Sequence, residues 1–149
     1  MILLDTNILV YALNENAVQH GACFKLLEAA VNGQFPAVLV PQVLLECYSV
    51  VTSPRRVPNP LRPRQILAEM RIWRTTIPTL EVRTEALAEL DHLAGATQRP
   101  GAEVYDLFLV AQMRTHRVRE ICTVNLRDFR IPGIRAYLPE QTLARYGRA

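Results

Sequence analysis

Short apolar runs alternate along the chain with longer segments in which apolar residues recur every three or four positions. The apolar runs predict five strands, the last of them short, over residues 2–5, 37–40, 79–82, 120–124 and 134–137. The longer segments predict helices over residues 7–13, 17–31, 41–53, 64–76, 84–94 and 104–114. Strands that alternate with helices indicate an α/β fold, with a central parallel sheet of four to five strands covered by helices on both faces.

One segment, residues 54–63, interrupts this alternation. Its sequence, PRRVPNPLRP, contains four prolines, which fix φ and remove backbone N–H donors. We therefore expect an irregular loop here. We interpret the loop and its neighbouring arginines as a contact for substrate selection or for dimerisation.

Length and composition indicate a single domain spanning residues 1–149. Half of the residues are hydrophobic and 21% are charged, as in ordinary globular proteins. No apolar run approaches the roughly 20 residues of a membrane-spanning helix, and the amino terminus lacks a signal-peptide pattern, so we expect a cytoplasmic protein with no membrane partner. We expect buried, free thiols at Cys23, Cys47 and Cys122, because each lies in an apolar stretch.

Positive charge is concentrated in two segments of a chain whose net charge is only +3. Residues 54–76 contain six arginines and one acid, and residues 112–135 contain six arginines and two acids. Such segments favour an anionic partner, with nucleic acid as the first candidate. The alternative is genome composition, because 16 of the 17 basic residues are arginine and only Lys25 is lysine.

The residues at the carboxyl ends of the predicted strands bear most directly on function, because ligands of open parallel sheets bind there. Asp5 ends the first predicted strand and is followed by Thr6 and Asn7. A residue of this type is also a good helix N-cap. Asp5 is therefore either a cap, or a member of a binding site, or both.

Two further acids lie in otherwise apolar surroundings. Glu46 borders the apolar stripe of the helix that follows the second strand, where a carboxylate is costly unless it is paired or binds a metal. Asp106 is the only charged residue between Val104 and Met113. The alternatives are that Glu46 reaches solvent from the edge of its stripe and that Asp106 complements the dipole of its helix.

A polar group, Thr123, Asn125 and Asp128, follows the fourth strand, where its residues could equally form an Asx turn. Acids that meet at one edge of a sheet repel each other unless a cation binds among them. A ligand set made only of oxygens suits Mg²⁺ or Mn²⁺, which can activate water against a phosphodiester. This chemistry would also account for arginine-rich segments that hold phosphates beside the acids.

The chain resembles the PIN-domain ribonucleases, and specifically the VapC toxins of type II toxin–antitoxin pairs, in four segments taken in order: LLDTNILVYA, PQVLLECYSV, VYDLFLVAQ and TVNLRDF. The resemblance covers nearly the whole chain. It implies a three-layer α/β/α sandwich, a Mg²⁺-dependent endoribonuclease, a homodimer, and neutralisation by a small VapB-like antitoxin protein.

The resemblance also assigns roles to individual residues. It implies that Asp5 and Asp106 bind the metal, and that Glu46 either binds it too or orients the attacking water. The family often has an acid where this chain has Asn125, which leaves one or two metal ions possible, with Asp128 supplying charge nearby. The expected catalytic set is therefore Asp5, Glu46, Asp106, Asn125 and Asp128.

The expected mechanism is hydrolysis of RNA. A metal ion held by Asp5 and Asp106, with help from Glu46, would lower the pKa of a bound water, and the resulting hydroxide would attack phosphorus in line, leaving a 5′-phosphate and a 3′-hydroxyl. Thr6 and Thr123 would donate hydrogen bonds to the ligands.

The main alternative is a catalytically weak or inactive PIN-fold module that binds RNA or a protein partner, with its metal site weakened by Asn125. A phosphatase or receiver domain is disfavoured, because position 7 is Asn instead of a second acid and the single lysine lies early in the chain. A metal-free ribonuclease is disfavoured because no histidine follows a predicted strand; the three are His20, His92 and His116.

Overall fold

A sheet of four parallel strands forms the centre of the protein in a computed structural model, which describes residues 1–146. The spatial order is β2-β1-β3-β4, and the strands are β1 (Ile2–Leu4), β2 (Ala37–Val38), β3 (Glu120–Cys122) and β4 (Arg135–Tyr137). Ile2 aligns with Ala37 on one side and with Glu120 on the other. All of β1 is buried, which is why its sequence is apolar without alternation.

Helices cover the sheet on both faces, giving the predicted three-layer α/β/α sandwich. Those of the described residues are α1 (Thr6–Leu13), α2 (His20–Val31), α3 (Pro41–Val51), α4 (Pro63–Thr76), α5 (Glu85–Thr97), α6 (Glu103–Thr115) and α7 (Pro139–Tyr146). The α/β prediction is confirmed. The domain predicted over 1–149 includes three residues that lie outside the described part of the chain.

Two elements differ from the prediction. The segment 79–82 is not a strand: Thr79 forms one parallel bridge with Leu39, and Leu80 N donates to Leu39 O at 2.8 Å. Pro78 has no N–H to extend the pairing, and the residues from Pro78 to Val82 are exposed except for the half-buried Leu80. Helix α7 was not predicted, although Pro139 stands at its first position, where proline is favoured.

One hydrophobic core links β1, the neighbouring strands and the inner faces of the helices. The three cysteines are buried in it as free thiols, as predicted, and burial raises the pKa of Cys47 and Cys122 to about 12. No helix within residues 1–146 combines the length and the apolar character needed to cross a membrane.

The sheet brings together the carboxyl ends of β1 and β3. Asp5 N donates to Cys122 O at 3.0 Å, so the residues that follow these two strands emerge side by side. Helix α1 begins immediately after Asp5, and α3 begins soon after β2 on the other side of β1. This edge of the sheet is therefore the place where the predicted acids can meet.

Candidate active site

Four of the predicted acids line one open cleft of about 380 Å³ at the carboxyl edge of the sheet. They come from four separate segments of the chain: Asp5, Glu46, Asp106 and Asp128. We call this the carboxylate cleft. The fifth predicted residue, Asn125, is not among those that line it.

Asp5 is at once the N-cap of α1 and the most buried acid of the cleft, at 7% exposure. Its Oδ1 accepts a hydrogen bond from Thr6 N at 2.7 Å. Its Oδ2 accepts from Asn7 Nδ2 at 2.6 Å and from Thr123 Oγ1 at 2.7 Å. The contact from Thr123 is consistent with the prediction that this residue donates a hydrogen bond to a metal ligand. All three groups that donate to the Asp5 carboxylate are uncharged.

The surroundings of Asp5 disfavour its ionised form. Burial is the largest cause and raises its pKa from the ordinary 3.8 to about 7. The hydrogen bonds from Thr123 and Thr6 oppose this shift without cancelling it. The negative charges of Asp106 and Glu46, which line the same cleft, raise the pKa of Asp5 further.

Glu46 is held on both of its oxygens. Its Oε2 accepts from Thr6 Oγ1 at 2.9 Å, and its Oε1 accepts from Gln42 Nε2 at 2.8 Å. Gln42 precedes Glu46 by four positions, one turn earlier on α3, where side chains of a helix meet. The carboxylate is therefore fixed at the edge of the apolar stripe, on the side that faces the cleft.

Asp106 lies in the first turn of α6 and is half-buried. Burial is again the largest cause of a pKa raised to about 6, with the charges of Asp128 and Glu46 acting in the same direction. The nearby charge of Arg99 lowers this pKa but does not offset the other effects.

Asp128 belongs to a turn after β3 that the polar residues there stabilise. Asn125 Nδ2 donates to its carboxylate, and Arg99 Nη1 donates to its backbone carbonyl at 2.7 Å. Asn125 is exposed, and its N–H donates to Thr123 Oγ1 at 3.0 Å. A turn stabilised by these polar residues is therefore present, although the hydroxyl of Thr123 accepts the bond from Asn125 N in place of an Asx side chain. A catalytic role for Asn125 stays a prediction.

The donor set of the cleft suits a hard divalent cation such as Mg²⁺ or Mn²⁺. Its acids offer only oxygen ligands, and burial raises the pKa values of Asp5 and Asp106, so a bound cation would stabilise ionised forms that the fold alone disfavours. Within residues 1–146, no three acid, histidine or cysteine side chains are gathered closely enough to hold a metal ion as they stand. The metal ligands predicted from the sequence, Asp5, Asp106 and Glu46, all line this cleft, and their role as ligands stays a prediction.

Three polar residues of the site were not anticipated from the sequence. Asn7 bridges Asp5 and Thr123 and accepts from Val124 N at 3.2 Å. Gln42 supports Glu46, and Gln112, which is fully buried on α6, donates to Gln42. The sequence offered only a weak indication that these residues belong to the site, namely that each is a polar residue in a mostly apolar helix.

The arginine-rich segments do not all flank the acids. Arg56, from the proline-rich loop, lines the carboxylate cleft together with Val57. Arg114, Arg117 and Arg119 instead border a separate pocket where β3 and β4 begin, which is the opposite edge of the sheet. Of the arginines in these two segments, Arg56 is the one found among the described residues that line the carboxylate cleft.

Comparison with known families decides where this fold and site belong. The sequence profile of the PIN domain matches residues 2–133. The chain belongs to the PIN-domain family. This PIN domain also resembles VapC proteins, as expected: Ribonuclease VapC24 of Mycobacterium tuberculosis is 27% identical over 130 residues, which are 87% of this chain and 89% of VapC24.

Solved structures share the fold of this PIN domain. VapBC2 of Rickettsia felis, bound to a DNA fragment from its promoter, aligns with a TM-score of 0.67 and 21% identity over 93% of this chain and 98% of that one. DNA-bound VapBC of Salmonella typhimurium gives 0.64 and 23%, over 93% and 99%. VapC20 of M. tuberculosis, described as a sarcin–ricin loop cleaving toxin, gives 0.61 and 18%, over 81% and 87%.

Proposed function

We propose that this PIN domain is a metal-dependent endoribonuclease of the VapC toxin type, which cleaves RNA in the carboxylate cleft. The observation that carries the proposal is the meeting of four acids from distant segments in one cleft of a PIN fold. The names of two relatives, Ribonuclease VapC24 and the sarcin–ricin loop cleaving toxin VapC20, support RNA as the substrate class.

The metal is proposed to be Mg²⁺, with Mn²⁺ as a substitute, held by Asp5 and Asp106 with help from Glu46. When bound, it would supply the activation of water and the compensation of phosphate charge that hydrolysis of a phosphodiester needs. The all-oxygen donors and the raised carboxyl pKa values of the cleft support this assignment.

The polar side chains around the acids are proposed to hold the carboxylates in place, and not to react themselves. Thr123 and Asn7 fix the carboxylate of Asp5 by hydrogen bonds to its Oδ2, so one rotamer is prepared before any ligand enters. Thr6 does the same for Glu46 through its hydroxyl. Arg56 lines the cleft, and its guanidinium is proposed to pair with a phosphate of the RNA beside the scissile one.

The proposed partners are RNA and a VapB-like antitoxin that neutralises the nuclease. The likeness to VapBC structures of R. felis and S. typhimurium supports the antitoxin. A homodimer and a cytoplasmic location are part of the same proposal. The proline-rich loop is proposed to select substrate, because Arg56 and Val57 line the cleft.

The test is cleavage of a structured RNA by the wild type and by Asp5→Asn, each with Mg²⁺ and with EDTA. We expect cleavage by the wild type with Mg²⁺ only, and a loss of at least about 100-fold in the variant. Asp91→Asn is the matched control, since it makes the same chemical change at an exposed position of α5 outside the cleft.

The outcomes separate the two functions considered. Cleavage that persists equally in Asp5→Asn, or in EDTA, contradicts a metal-dependent nuclease. RNA binding without cleavage by the wild type, together with no measurable affinity for Mn²⁺, would favour the alternative of a binding module.

A further inference from the structure

A buried glutamine, Gln112, is connected to the carboxylate cleft by two hydrogen bonds in series. Its Nε2 donates to Gln42 Oε1 at 2.7 Å, and Gln42 Nε2 donates to Glu46 Oε1 at 2.8 Å. The two glutamines come from different helices, α6 and α3. We call this connection the glutamine relay.

The relay also holds Gln42 in one orientation. Gln42 Nε2 donates to the backbone carbonyl of Tyr105 at 2.8 Å in addition to Glu46. Its amide nitrogen therefore uses both hydrogens, and its oxygen accepts from Gln112. A flipped Gln42 amide would turn its oxygen toward the oxygens of Glu46 and Tyr105. The bond from Gln112 to Gln42 Oε1 adds to this preference and holds the amide in the orientation that donates to Glu46.

Stability alone does not account for Gln112. It is 0% exposed, in a helix whose other buried residues are apolar. Its Oε1 is buried without a hydrogen-bond partner among the described residues. An unpaired buried acceptor costs free energy, so an apolar residue of similar size would suit the core at least as well. A glutamine here is better explained by the hydrogen bond that its Nε2 donates to Gln42.

We propose that Gln112 is a positioning residue of the active site, which fixes the carboxylate of Glu46 in the cleft by orienting Gln42. The proposal rests on the proposed function for the role of Glu46, but the relay itself is a property of the protein without metal or RNA. Gln112 is fully buried, so it would act on the active site from the core without contacting metal or substrate itself.

The first experiment compares Gln112→Met with Val110→Ala, a change at a fully buried apolar residue on the same helix. We expect Gln112→Met to weaken Mn²⁺ binding about tenfold, as for other partners of metal ligands, without lowering the thermal midpoint. Val110→Ala should lower the midpoint and keep the wild-type affinity for Mn²⁺. Wild-type Mn²⁺ affinity in Gln112→Met, or a midpoint lowered as far as in Val110→Ala, would overturn the proposal.

The second experiment is a double-mutant cycle with Gln42→Met. If Gln112 acts only through Gln42, the double variant binds Mn²⁺ no more weakly than Gln42→Met alone. Losses that add would show that Gln112 acts by another route, and the relay would be rejected.

A third measurement separates this proposal from the proposed function. We expect ¹³C relaxation of the Glu46 carboxyl carbon, in metal-free protein, to show greater motion in Gln112→Met and wild-type motion in Val110→Ala. A wild type that binds no Mn²⁺ would refute the metal-dependent nuclease, and the relaxation data alone would then decide the relay. Unchanged relaxation in Gln112→Met would refute the relay whatever the protein cleaves.

Discussion

Two buried carboxylates on neighbouring strands have opposite electrostatic surroundings. Asp5 follows β1 at the carboxyl edge of the sheet and is 7% exposed, whereas Glu120 begins β3 at the amino edge and is 6% exposed. Burial alone raises the pKa of both carboxyls. Positively charged neighbours offset the effect of burial at the amino edge, around Glu120, but not at the carboxyl edge, around Asp5.

Glu120 is surrounded by positively charged and hydroxyl donors. Arg135 Nη2 and Arg145 Nη2 donate to its Oε1 at 2.7 Å and 3.0 Å, and the Tyr146 hydroxyl donates to its Oε2. Although burial acts to raise the pKa of Glu120, these donors lower it overall. The contacts tie the end of α7 to the start of β3, so Glu120 has a structural role.

Asp5 receives hydrogen bonds only from neutral groups, and its pKa is raised to about 7. No arginine, lysine or histidine within the described residues forms an ion pair with it. The contrast teaches how to distinguish a structural acid from a functional one. The fold supplies Glu120 with positive charge, whereas it leaves Asp5 without any among the described residues, and the proposed metal ion would supply it.

The largest expected effect comes from removing a second acid of the cleft. Asp106→Asn should lower RNA cleavage by about 100- to 1000-fold and weaken Mn²⁺ binding, because it removes a proposed ligand while leaving the cap at Asp5 intact. Cleavage rates and calorimetric Mn²⁺ titrations measure this. Wild-type Mn²⁺ affinity in Asp106→Asn would remove that residue from the ligand set.

The next effect is a pH dependence of stability without metal. Because the folded-state pKa of Asp5 is raised from 3.8 to about 7, ionisation costs up to about 4 kcal/mol of unfolding free energy, lost progressively as pH rises from about 4 to 7. Urea unfolding in EDTA should show this decline, and Mn²⁺ should reverse it. Asp5→Asn should reduce the decline to the smaller part that the raised pKa of Asp106 causes, whereas a decline of undiminished size in that variant would refute Asp5 as its main source.

A third prediction concerns Glu120, for which the sign is opposite. Its lowered pKa contributes stability above the ordinary 4.5, and this is lost as pH falls below that value. Glu120→Gln should cost about 1–3 kcal/mol at neutral pH, because charge-assisted hydrogen bonds are lost while the exposed arginines stay solvated. Mn²⁺ affinity should not change, and a large loss of affinity would break the distinction between the two edges.

The smallest expected effect concerns Thr123, which is fully buried and donates to Asp5. Thr123→Val keeps the shape but removes the donor, so the pKa of Asp5 should rise further and Mn²⁺ binding should weaken about fivefold at pH 7. Thr123→Ser retains the hydroxyl and should bind within about twofold of the wild type. Titrations across pH would test this pair, and equal losses in both would assign the effect to packing.

Much of the site was predictable because a few strong constraints act on it. An apolar strand in a parallel sheet must be followed by the residues that line its carboxyl edge, which located Asp5. An acid in an apolar helical segment must be paired or functional, which located Glu46 and Asp106. These rules depend on local sequence and on one property of the sheet, and the structure brings all three acids into one cleft.

The unpredicted features depend on tertiary contacts that local patterns do not encode. Gln42 and Gln112 become partners only because α3 and α6 meet, 70 positions apart in sequence. The same limit explains the arginines, since charge density along the chain did not reveal that Arg117 and Arg119 lie at the amino edge. The segment 79–82 has strand-like residues, but Pro78 and its position at the edge of the sheet reduce it to one bridge.

The order of the strands has a consequence for how the protein is made. β1 pairs with β3, and one of the hydrogen bonds to the Asp5 carboxylate comes from Thr123, 118 positions later in the chain. During translation the first strand leaves the ribosome long before its partner exists, and such distant pairings form slowly. A nascent chain therefore carries Asp5, Glu46 and Asp106 before it has a cleft, and the site can assemble only after β3 and Thr123 have been synthesised.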